Sequence, residues 1–132
     1  MWAVVLLGIL VVGLVIGLAL AWLLRDPRRN LDVRTGFAPE AFLAQAPSEI
    51  RDTTSEACSG IAYCVQSAEA SRIRIRRFSS ESAARAEAVR LAPHAWPSDL
   101  FVVEFLQPDS MTSEDYRLVE STVDGTASDS PD

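Results

Sequence analysis

The sequence predicts an α+β protein: an N-terminal single transmembrane helix, a small ferredoxin-like (split βαβ) sandwich, and a disordered acidic tail. Three observations carry this reading. Residues 1–24 contain no charged or strongly polar side chain. Residues 61–106 read in order as strand, strand, helix and strand. From Asp109 onward, seven acidic side chains face one arginine, Arg117. The expected organisation is a transmembrane helix at 1–24, a juxtamembrane segment with a short strand and helix at 25–56, a β-β-α-β core at 57–107, and an acidic tail with a short helix at 108–132.

With 132 residues there is room for one small domain. A net charge of −6 argues against a protein whose main task is coating nucleic acid. All twelve basic residues are arginine, a usage that suggests a GC-rich bacterial genome and carries no chemistry of its own.

A helix over residues 1–24, rising about 1.5 Å per residue, spans roughly 35 Å, enough for a hydrocarbon core of about 30 Å. In lipid the backbone must satisfy itself, which a helix does. Trp2 and Trp22 fall near its two ends, where indole rings favour the headgroup boundary. A cleaved signal peptide would need a basic start, a shorter apolar core and a small-x-small cleavage site. "ALA" at 19–21 imitates that site, but Trp22, Leu23 and Leu24 carry the apolar run past it. An uncleaved signal anchor is therefore the expectation. Arg25, Arg28 and Arg29 follow it directly, so the positive-inside rule places the N-terminus outside and the domain in the cytoplasm, at the cell membrane. Gly13, Gly17 and Ala21 recur every fourth residue, a small-xxx-small ridge suited to a membrane-protein partner or a homodimer; the plain alternative is that membrane helices are rich in small residues.

Pro27 helps end the helix. Residues 31–35 alternate and fit either a weak first strand or a linker, whereas 37–47 read as a brief helix with Pro39 in its first turn and Pro47 ending it. "IAYCVQ" at 61–66 reads as a strand, and "SAEAS" after it as a hairpin connection. "RIRIRRF" is the clearest alternation in the chain, with Ile73 and Ile75 opposite Arg72, Arg74 and Arg76. A helix comes next, capped by Ser79 or Ser80 and ended by Pro93, with Ala84, Ala88 and Leu91 inward, Val89 near the edge of that stripe, and Glu81/Arg85 and Glu87/Arg90 paired on the outer face. The apolar run 100–106 reads as a buried strand that pairs parallel to the arginine strand through a right-handed crossover.

A row of arginines about 6–7 Å apart suits phosphates, acidic peptides or anionic headgroups. The bland reading is a solvated face neutralised by Glu104 or by the tail, which also guards against edge aggregation. Phe78 shares the parity of the arginines, but one ring does not make the aromatic platform that single-stranded RNA requires, so nucleic acid is disfavoured. In a further version the acidic tail covers Arg72, Arg74 and Arg76 in cis and yields to a partner.

Cys58 and Cys64 are too few for a structural zinc site. In the cytoplasm they are expected reduced; in an exported domain they would form a bridge, so a disulfide counts against the predicted orientation. His94, with Ser98 and Asp99 close in sequence, invites a hydrolytic triad, but loop adjacency is not triad geometry. No Walker loop, dinucleotide turn or glycosidase-spaced carboxylate pair is present. The expectation is no enzyme: no catalytic, cofactor or metal residue, Gly13, Gly17 and Ala21 for helix contacts, and Arg72, Arg74 and Arg76 for an acidic partner. The function expected is that of an accessory or scaffolding membrane protein. The alternative is a tethered binding or sensory domain for a small anion or an anionic lipid headgroup.

Overall fold

The computed structural model describes residues 1–24 and 27–128. It is α+β, with an apolar N-terminal helix and a five-stranded antiparallel sheet. Helix α1 (Trp2–Leu23) has no buried residue. Its 22 residues, with a mean hydropathy of 3.1 over an 18-residue stretch, make it long and apolar enough to cross a membrane.

Residues 31–50, expected to be juxtamembrane, belong to the domain. They form no strand; Val33, Phe37, Ala41, Phe42 and Ile50 are all buried in the larger core cluster. Instead of one brief helix there are two 3-10 turns, Pro39–Phe42 and Pro47–Glu49, so Pro47 opens a turn rather than closing one. Val33 N donates to Gln66 Oε1 at 2.9 Å, and a tight turn brings Gly36 N to Asp32 O at 2.7 Å. A Cβ on Gly36 would lie 2.6 Å from that same carbonyl oxygen, so only glycine fits.

The first strand is the two-residue β1 (Arg51–Asp52), followed by a single helical turn, α2 (Thr54–Ala57). Strands β2 (Cys64–Glu69) and β3 (Ile73–Phe78) form the expected hairpin, with β2 shifted towards the turn and bulged between Cys64 and Gln66. Helix α3 (Glu81–Leu91) begins at Ser80, whose side chain accepts from Ala83 N. Ala84 and Ala88 are buried as expected. Val89 is 76% exposed, because a period of 3.6 residues sets it roughly 140° from Ala84.

The largest correction lies beyond α3. Residues 95–98, read as loop, form strand β4 (Ala95–Ser98) at the sheet edge, where Pro97 is tolerated because no neighbour needs its missing N–H. The chain turns at Asp99, whose φ is +49°, and returns as β5 (Phe101–Phe105) between β4 and β3. β5 is therefore antiparallel to β3, not parallel. The order β1-β2-β3-β5-β4, with every neighbour antiparallel, also departs from the ferredoxin-like arrangement. The crossover over α3 does join two parallel strands, β3 and β4, with β5 inserted between them.

The tail is not disordered where it is described. Helix α4 (Ser113–Ser128) buries Val119 and Val123 against the segment 31–50 and the sheet. Residues 129–132 lie outside the described residues.

The sheet is thus covered on both sides. One face carries Ile73, Ile75, Phe101, Val103 and Phe105 under α4 and the segment 31–50. The other carries Phe78 and Val102 under Ala84 and Ala88 of α3.

Candidate functional site

The arginine row lies on the α3 side of the sheet, so the expected wet face is a covered one. Phe78, of the same parity, is 1% exposed beneath the helix. Arg76 is 4% exposed; its Nη1 donates to Glu104 Oε2 at 2.8 Å and its Nε to the carbonyl of Ala57 at 3.1 Å. Arg74 donates through Nε and Nη2 to Glu69 Oε2 at 2.8 and 2.5 Å, and through Nη1 to Glu104 Oε2 at 3.1 Å. Glu104 reaches both arginines because it sits opposite Arg74 on β5.

The pairs join into a ladder of alternating sign across the sheet: Arg51, Glu69, Arg74, Glu104, Arg76, Glu87 and Arg90. Glu87, expected on the outer face of α3, is 6% exposed and points at the sheet. Its Oε1 accepts from Arg90 at 2.5 Å and lies 3.9 Å from Arg76. The hydrogen bonds from Arg90 outweigh the cost of burial and hold the Glu87 carboxyl below the ordinary glutamate range. Burial works against the Arg74 charge, but Glu69 and Glu104 overcome it and raise its pKa further.

Arg72 stands apart at the end of the strand, half-buried, with Nη1 3.8 Å from Asp115 of α4. This is the only place where the acidic C-terminal segment reaches the row among the described residues. Arg77 projects from the opposite side of β3, where its Nε is buried without a hydrogen-bond partner among the described residues. Glu104 is legible in the sequence as a neutralising partner. Glu69 is not, because it lies in what reads as the hairpin connection, and neither is Glu87, because a charged i,i+3 pair usually marks an outer face.

Gly13 and Gly17 are open, with nothing within 4 Å of where a Cβ would be, and Ala21 continues their row on α1. The ridge is therefore free to meet another helix.

Cys58 and Cys64 form a disulfide and leave no free cysteine. It closes a loop that runs from the end of α2 to the start of β2, with Gly60 and Tyr63 both at positive φ. Ser79 N donates to Tyr63 O at 2.9 Å, so the loop is tied to β3 as well as to itself. Tyr63 is 65% exposed at its tip.

His94 is exposed; its backbone N donates to Leu91 O at 3.1 Å and its carbonyl accepts from Phe105 N at 2.8 Å. Ser98 Oγ donates to Asp124 Oδ1 at 2.6 Å, away from any histidine contact. No group of three His, Cys, Asp or Glu side chains suited to a metal ion is present among the described residues.

A groove of about 570 Å³ lies in the segment after α1, lined by Arg34, Thr35, Phe37, Gln45, Pro47 and Ile50. The cation on its wall, Arg34, is steered by a hydrogen bond from Nε to the Ile50 carbonyl at 3.0 Å.

Comparison with protein-family models, with curated proteins and with solved structures finds no match for this chain.

Proposed function

We propose that this is a single-pass membrane protein whose small α+β domain acts as a non-enzymatic accessory or scaffolding subunit. The observation that carries the reading is α1: apolar over its whole length, exposed all round, and contributing nothing to the domain core. Such a surface is stable only in lipid or against other apolar helices. Gly13, Gly17 and Ala21 supply the contact ridge, whose partner is another membrane helix or a second copy. The basic flank favours a cytoplasmic domain; the Cys58–Cys64 disulfide opposes that placement.

The test is mild crosslinking of the full chain in native membranes. A discrete dimer or hetero-complex that is lost in Gly17→Leu supports the reading. A strict monomer with no partner overturns it.

A second reading, a tethered binding domain for a small anion or an anionic lipid headgroup, keeps one supporting observation. Arg74 and Arg76 are already occupied by carboxylates, but Arg34 borders a mostly apolar groove close in sequence to the membrane helix. Vesicles containing anionic lipid should raise the Tm of the wild-type chain and not that of Arg34→Gln. Equal response of the two discards this reading.

A further inference from the structure

We infer that the α+β domain lies on the oxidising side of the membrane, with the N-terminal end of α1 toward the cytoplasm, the reverse of what the basic flank favours. This rests on the membrane-anchored reading above. Cys58 and Cys64 are the chain's only cysteines, and both are consumed in one bridge with Cα atoms 5.2 Å apart, within the normal span. The glutathione and thioredoxin systems of a reducing cytosol keep such thiols reduced, whereas exported domains retain their disulfides.

The bridge is built into the domain rather than appended to it. Cys64 opens β2 and packs against the Phe78 cluster. Ala57, beside Cys58, accepts the hydrogen bond of the buried Arg76. The loop between them places Ile61 against the same cluster and holds Tyr63 outward in a left-handed conformation that a bulky residue seldom adopts. A covalent tie across the loop offsets the cost of keeping that backbone.

Arg25, Arg28 and Arg29 weigh the other way, and Asp26 sits among them. The positive-inside rule is a statistical bias that other features override, while a reducing compartment acts on every exposed or transiently exposed disulfide. The consequence is functional. The partners of the domain, and whatever meets Tyr63, are exported, envelope or lumenal components and not cytosolic ones.

The test uses the full chain in a bacterial inner membrane. Denatured directly into maleimide-polyethylene glycol, it should take no tag, and two tags after reduction. A C-terminal alkaline phosphatase fusion should be active and a C-terminal fluorescent protein fusion dark. Two tags without reductant, or a fluorescent cytoplasmic fusion, overturns the inference. Alkaline extraction of the same membranes separates the two claims: a retained chain with a cytoplasmic C-terminus sinks the orientation alone, whereas a released chain sinks the anchor with it.

Discussion

Arg76 shows how one side chain can be costly and still necessary. At 4% exposure it has left water almost entirely, and Glu104, Glu87 and the Ala57 carbonyl compensate. Arg76→Ala would leave Glu104 to Arg74 alone and Glu87 to Arg90 alone and would orphan the Ala57 carbonyl beneath α3, and the expected loss is about 1.5–3 kcal/mol by urea denaturation. A loss below about 1 kcal/mol would mean that the ladder is wet and unimportant. Two glutamates give opposite pH signatures. Glu87 has a folded pKa below its ordinary value, so its contribution is present above about pH 4.5 and is lost as pH falls through the folded pKa. Glu120 is shifted upward, first by burial and then by Asp124, so its charge costs stability once pH rises through that folded pKa. Glu120→Gln should therefore raise Tm at pH 7, with the gain vanishing at pH 4. An equal gain at both pH values would show that charge is not the cause.

Among the elements, α4 changes most in meaning. As a disordered tail its removal would merely uncover arginines and increase binding to anionic surfaces. As a packed helix it closes one face of the sheet through Val119 and Val123, both 0% exposed. Val123→Ala should cost on the order of 1–3 kcal/mol, measured by chemical denaturation, and deletion of residues 113–128 should expose the core and cause aggregation. A deletion that left the domain soluble and cooperative would contradict this packing. The loop between α2 and β2 answers to a different constraint. Its disulfide links residues six apart, and removing so short a closure by a Cys58→Ser, Cys64→Ser pair should cost about 2 kcal/mol on the chain-entropy argument.

At the scale of the molecule, α1 adds no buried residue to the core, yet the core begins soon after it in the chain. No residue of α1 is buried, whereas Val33, ten residues after Leu23, is already fully buried. Ten extended residues reach at most about 35 Å, and Pro27–Asn30 is wound into a 3-10 turn, so an α1 lodged in lipid would hold the domain near the bilayer surface. Removing residues 1–24 should release the domain from membranes and leave its Tm unchanged; a large drop would mean that the helix packs on the domain. If α1 spans a membrane, confinement to one plane would also raise the effective concentration of any partner in that membrane.

The sequence by itself determined what depends on near neighbours. Uniform hydropathy defines α1, strict alternation defines β3, a serine cap at 79 or 80 and alanine spacing define α3, and an apolar β-branched run defines β5. Only the tertiary structure decided which surfaces meet. Pro93 and Pro97 disguise an edge strand as a loop, and with β4 hidden the direction of β5 reads reversed. The short, aperiodic pieces from 31 to 50 carry no local signature, yet they supply five buried side chains of the larger core. Arginines alternating with isoleucines look solvated because periodicity distinguishes two faces of a strand without saying whether a helix covers the second. That depends on Ala84 and Ala88 arriving from elsewhere in the chain, and on glutamates from three different elements placed to receive the charge.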